Sequence, residues 1–126
     1  MNLKKLFFML TFFVLLGTTA FAQTYVSNTN GNDIVGTGTA LAPYKTIAVG
    51  ITNTASGGTV IIDADTYNEA NVNITKSITL VSRTFNALNT VTITNGVIIN
   101  GAAITVNIGT TASGSLQFNL GSTTTA

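Results

Sequence analysis

Asp63 and Asp65 stand two positions apart, and Glu69 follows four residues later. In a strand, residues at i and i+2 face the same way, so this spacing could present two carboxylates together with a third nearby. Calcium, which takes six to eight oxygen ligands, is the chemistry such a group could serve. Nothing else in the segment completes a calcium motif, and the expectation is solvated turn carboxylates. Asn28, Asn30, Asn32 and Asp33 form a second oxygen-rich cluster, but it lacks the residue order of an EF-hand, including the terminal Glu. An Asn-rich turn held by side-chain-to-backbone hydrogen bonds is expected there. Thr90, Thr92 and Thr94 would set hydroxyls ~6.6 Å apart along one strand face, a spacing that could order water as an ice-binding surface does. Asn73/Thr75, Thr105/Asn107 and Gln117/Asn119 do not continue that row. Threonine is in any case favoured on wet strand faces, so ice binding is not expected.

Composition narrows the chemistry further. The chain contains no Cys, no His and no Trp. That excludes a disulfide framework, a Cys/His zinc site, a Cys/His nucleophilic pair and a histidine general base. No catalytic, cofactor-binding or metal-ligating residue is assigned, and the chain by itself is not expected to be an enzyme.

Residues 1–22 have the three parts of a secretory signal peptide. Lys4 and Lys5 supply the positive start, Leu6–Leu16 the apolar run, and Ala20-Phe21-Ala22 the cleavage signal. The apolar run is far shorter than the ~20 residues a spanning helix needs. No Cys follows to carry a lipid. A secreted protein, extracellular or at the cell surface, is therefore expected, with Gln23 first after cleavage and no membrane association beyond it. The leader is of bacterial type, so the sequon Asn73-Ile74-Thr75 is set aside.

Removing Lys4 and Lys5 leaves Lys45, Lys76 and Arg83 against Asp33, Asp63, Asp65 and Glu69, a net charge of −1. No basic patch survives to neutralise phosphates, and nucleic acid is excluded as a partner.

The elements that must position these residues are strands. Apolar residues, mostly aliphatic, alternate with Thr, Asn and Gln in Val72–Thr75, Ile78–Leu80, Val91–Thr94, Ile104–Ile108 and Leu116–Leu120. Period two predicts strands with one buried and one wet face. Thr59–Ile62 and Val97–Ile99 are more continuously apolar, which fits burial on both sides. Asn-Gly pairs at Asn30, Asn95 and Asn100, with Gly57-Gly58, Gly109, Gly114 and Gly121, mark turns. One helix is expected over 43–55, where Tyr44, Ile47, Ala48, Ile51 and Ala55 fall at helical spacing, with Pro43 in the first turn and Gly57-Gly58 at the stop. Strands this short fit stacked coils better than a sandwich. Strand starts near 59, 77, 90, 103 and 115 exclude a strict short-period solenoid but admit a looser one.

The order of several blocks adds to this. Tyr25-Val26-Ser27, Asn30-Gly31-Asn32-Asp33, Gly36-Thr37, Pro43-Tyr44-Lys45-Thr46-Ile47, Gly58–Ile62, Thr66–Glu69, Asn73–Lys76 and Ser77–Leu80 together resemble the N-terminal segment of secreted bacterial right-handed parallel β-helix proteins, the pectin-lyase-like superfamily. The resemblance spans residues 25–82. It implies an all-β, right-handed parallel β-helix of about three coils, with the helix at 43–55 capping the N-terminal end and 59–65 opening the first coil. The organisation expected is a leader over 1–22, a strand, loop and capping helix over 23–58, and coils over 59–126. Tyr25, Tyr44 and Tyr67 could stack on sugars but are expected to pack against the first coil. The sequence departs from the family pattern at Asp65, where Gly is usual, and at Gly50, where Ala is usual. Both are expected to weaken the chain locally.

After Leu120 the chain offers no second cap, so the coils are expected to continue in a longer protein or to self-associate. Two functions follow. The first is a non-catalytic scaffold or adhesion module that contacts polysaccharide or surface matrix through its Thr/Asn faces. The alternative is the N-terminal part of a polysaccharide lyase or hydrolase whose active site lies beyond Ala126.

Overall fold

The computed structural model describes residues 22–88, 90–101, 103–110 and 115–118. The leader apart from Ala22, Gly114 and the tail from Asn119 to Ala126 lie outside the described residues. In chain order the elements are β1 (Gln23–Val26), α1 (Ile47–Asn53), β2 (Thr59–Asp63), β3 (Thr66–Tyr67), β4 (Val72–Ile74), β5 (Ile78–Arg83), β6 (Thr90–Ile93), β7 (Val97–Ile99), β8 (Val106–Thr110) and β9 (Ser115–Phe118).

The protein is all-β with parallel sheets. Three sheets form, ordered β1-β2-β5-β8, β3-β6-β9 and β4-β7, and every pairing between these strands is parallel. From β2 onward the chain visits the three sheets in a fixed rotation. The register shows why no strict repeat is visible in the sequence. Thr59 pairs with Thr79, 20 residues on, whereas Ile78 pairs with Val106, 28 residues on. A turn at Phe85–Leu88 and the stretch before β8 absorb the difference.

The alternation read from the sequence sets the inward faces. Val60 and Ile62, Val72 and Ile74, Ile78 and Leu80, and Val91 and Ile93 meet Tyr67 and Val26 in one buried cluster. Each such aliphatic side chain contributes roughly 1.5–3 kcal/mol by leaving water.

One expected strand is displaced, and another forms where expected but is less buried. Ile104–Ile108 is replaced by β8 two residues later, because its register follows Ile78–Ser82 through to Thr110 and because Ala103, at φ 58, turns the chain before it. Val97–Ile99 is not buried on both sides: Ile98 is 37% and Ile99 54% exposed. Among the described residues β7 pairs only with β4, so nothing covers its other side.

The helix is shorter than 43–55. Tyr44 makes a parallel bridge with Val26 instead, and the Pro43 carbonyl accepts from Asn32 N–H at 3.0 Å. Thr46 is the N-cap, its Oγ1 accepting from Val49 N–H at 3.3 Å. At the other end Thr54 Oγ1 donates to the Gly50 carbonyl at 2.7 Å, and the helix stops at Asn53 rather than at the glycines. Ile47, Gly50 and Ile51 form its buried face, turned toward β1, β2 and β4. Among the described residues no helix is long and apolar enough to cross a membrane.

Candidate functional site

Each of the carboxylates singled out by spacing faces its own donors. Asp63 ends β2 and is buried, whereas Asp65 lies past the strand in the turn to β3, so the two do not share a strand face. The β2–β5 register sets Asp63 directly beside Arg83, and Arg83 Nε donates to Asp63 Oδ1. The same guanidinium lies 4.9 Å from the centre of the Tyr25 ring, so one aromatic face is already engaged by a cation.

Asp65 gathers the second cluster. Its Oδ2 accepts from Asn28 Nδ2 at 3.3 Å and from Thr29 Oγ1 at 3.1 Å, while Oδ1 accepts from Thr66 N–H at 2.7 Å. The loop after β1 is thereby tied to the β2–β3 turn. The expected local weakening at Asp65 is corrected: a glycine there would remove these bonds. Tyr67 completes the junction from inside, its hydroxyl donating to the Asp63 carbonyl at 2.9 Å and accepting from Asn28 N–H at 3.2 Å. Burial pushes its phenol well above the ordinary value. Tyr67 is core and cannot stack on a sugar.

The loop carrying Asn28–Asp33 is a built turn. Asn32 Oδ1 accepts from Ile34 N–H at 2.8 Å and Val35 N–H at 3.1 Å, and Asp33 Oδ1 accepts from Lys45 N–H at 2.7 Å and Thr46 N–H at 3.1 Å. Lys45 Nζ donates to the Asn28 carbonyl at 3.3 Å.

Glu69 serves the helix, not a cation. Its two oxygens accept from Ile47 N–H at 2.6 Å and Ala48 N–H at 3.0 Å, satisfying groups that the first turn leaves open. Burial lifts its carboxyl above the ordinary value, and the Asp33 charge adds to this, against the two N–H bonds. Lys76 Nζ donates to the Thr52 and Thr54 carbonyls at 3.0 and 2.6 Å, so a cation sits at the C-terminal end. Arg83 and Lys76 were not signalled by spacing within one segment. Their partners lie 20 or more residues away, and only the register brings them together.

Every charged side chain from residue 23 onward is thus engaged in holding the protein together. Among the described residues no three carboxylates converge as metal ligands would. The chain matches no known family model, no curated protein and no solved structure.

The outer face of the four-stranded sheet carries two side-chain rows. Gln23, Thr59, Thr79 and Asn107 fall in one register row across β1, β2, β5 and β8, and the core-facing alternation turns them away from the interior. Tyr25, Ile61, Val81 and Gly109 form the row beside it. Strand spacing sets neighbours within a row ~4.8 Å apart. The Thr90–Thr94 row is broken, because Thr94 Oγ1 donates to the Tyr67 carbonyl at 3.4 Å and to Asn68 Oδ1 at 3.1 Å. Tyr44 is half-buried on the loop beside Gly38 rather than in the helix.

Proposed function

We propose that the chain is a secreted, non-catalytic scaffold or adhesion module, folded as a right-handed parallel β-helix of the pectin-lyase-like kind, which contacts polysaccharide through an outer sheet face. The observation that carries the reading is the polar row Gln23–Thr59–Thr79–Asn107 across the outer face of the four-stranded sheet. Hydroxyls and amides suit a sugar's hydroxyl edge. The β-helix reading is supported by the fixed rotation through three parallel sheets and by the strong right-handed preference of parallel crossovers. Secretion is supported by the leader, with Lys4 and Lys5 ahead of Leu6–Leu16.

In this reading two elements protect the end of the stack. Helix α1 covers the apolar cross-section with Ile47 and Ile51. Segment 38–44 covers the open edge of β1, where Tyr25 N–H donates to the Gly38 carbonyl at 2.8 Å and Ser27 N–H to the Tyr44 carbonyl at 2.9 Å. The engagement of all seven charges from residue 23 onward favours a scaffold over an acid–base catalyst.

The test is a glycan array with neutral and acidic polysaccharides, followed by titration of any hit. Thr79→Val and Asn107→Ala together should weaken binding several-fold while leaving the circular dichroism spectrum unchanged. A blank array, or a hit indifferent to both substitutions, would overturn the reading.

A further inference from the structure

The edge of β8 is treated differently from that of β1. Ile78 N–H donates to the Thr105 carbonyl at 3.0 Å, which fixes the phase of the ladder. Alternation then turns the N–H and C=O groups of Asn107 and Gly109 toward β5, and those of Val106, Ile108 and Thr110 toward the open side. Among the described residues no strand pairs with that side.

We propose that this edge binds a second copy of the chain, β8 pairing antiparallel with β8 about a two-fold axis through Ile108. Three observations favour a copy of the same strand as the occupant. With the axis on Ile108, Val106 falls opposite Thr110 of the other copy and Ile108 opposite itself. Every outward-directed N–H and C=O of β8 then has a partner. Asn107 falls opposite Gly109, where an added Cβ would meet nothing within 4 Å, so the longer side chain has room.

Charge is the second observation. No Lys, Arg, Asp or Glu follows Arg83. The edge therefore lacks the charged residues that usually keep strand edges apart, and two identical edges meet without like-charge repulsion. Exposure is the third. Ile108, on the inward row of β8, is 49% exposed, and Ile99 on β7 is also open to water. A second copy would cover this apolar end as well as the backbone edge. The inference rests on register, charge and exposure at this edge and stands or falls apart from glycan binding.

Sedimentation velocity over a wide concentration range tests it, on the purified chain with its N-terminus read by mass spectrometry. The expected result is a reversible dimer. Ile108→Lys, which sets two ammonium groups against each other at the axis, should yield monomer. Leu41→Lys alters a 99% exposed side chain on the loop at the opposite end and should leave the dimer intact. Hydrogen exchange on the unaltered chain gives a second readout that needs no variant to fold. The amides of Val106 and Ile108 should gain protection as concentration rises, while those of Asn107 and Gly109 stay protected throughout. A monomer at every concentration, a dimer that survives Ile108→Lys, one that dissociates with Leu41→Lys, or concentration-independent exchange at Val106 and Ile108 would each overturn the proposal.

Discussion

The two ends of the long sheet meet the same physical demand with different means. At the β1 end, backbone groups and apolar side chains are covered by a loop and a seven-residue helix. Too short to be stable alone, that helix is held from outside: Glu69 accepts from its first turn, Lys76 donates to its last carbonyls, and Asp33 fastens the approach to it. At the β8 end no charged residue follows Arg83, Ile98, Ile99 and Ile108 are exposed, and among the described residues no strand pairs with the outer edge of β8. Charged side chains here act as fasteners for an element with little intrinsic stability. Between strands, Asp63 on β2 and Arg83 on β5 form an ion pair at neighbouring register positions, and no charged residue follows Arg83.

The comparison predicts unequal costs for the same substitution at the two ends. Ile47→Ala empties a fully buried site under the helix and should cost about 2–4 kcal/mol in denaturant unfolding. Ile108→Ala should cost less than about 1 kcal/mol, because half of its side chain already meets water. Equal losses would show that the ends are covered alike. Gly50→Ala comes next in size. Helix propensity alone favours Ala by roughly 1 kcal/mol. Here the new Cβ would lie 2.4 Å from Val26 Cγ2 and 3.4 Å from Val60 Cγ1, so helix and β1 would have to separate. The expected net effect is destabilisation of about 1–3 kcal/mol. Gly50 is therefore a packing requirement, which corrects the expectation that it weakens the chain.

Glu69 gives a smaller effect with a pH signature. Glu69→Ala leaves two half-buried N–H groups without their acceptor and should cost about 1–2 kcal/mol. Glu69→Gln separates charge from shape. Because burial raises the carboxyl's folded value above its unfolded one of about 4.3, the folded state binds the proton more tightly. The stability this contributes is complete below about pH 4 and is lost as pH rises through the raised value. The stability difference between the Gln variant and the unaltered chain should therefore shift in favour of Gln as pH climbs from 4. A shift the other way would show that the two N–H bonds outweigh burial.

Much of the scaffold was legible in the sequence, because period-two alternation is a local property. The buried partners Val72/Ile74, Ile78/Leu80 and Val91/Ile93 follow directly from it. The helix bounds did not follow, because Pro43 and Tyr44 fit a helical stripe equally well as an extended strip against β1. Nor could Asp63–Arg83 or Glu69–Ile47 be read, since register offsets of 20 and 28 residues are set by turns of unequal length rather than by any repeated motif. The acidic pair was visible as a pair. Its separation into one buried and one turn carboxylate depended on where β2 stops.

That inequality of turns supplies the smallest prediction. Between β5 and β6 the chain doubles back at Phe85–Leu88, where each of these two backbone N–H groups donates to the other residue's carbonyl, at 2.9 and 2.8 Å. Asn86 and Ala87 both adopt left-handed backbone, at φ 47 and 65. Asn tolerates that region, whereas Ala crowds its Cβ against the backbone at a cost of roughly 1–2 kcal/mol. Ala87→Gly relieves the crowding but loosens the unfolded chain, which opposes part of the gain. A net stabilisation of about 0.5–1 kcal/mol is expected, measured as a higher denaturant midpoint with an unchanged slope. The same substitution at Ala48, inside α1, should destabilise by a similar amount, since Gly there loses helical preference and relieves nothing. Opposite signs at the two alanines would place the strain in the turn between the two ends. Matching signs would mean that the turn, like the helix, is held by its surroundings rather than by its own backbone preference.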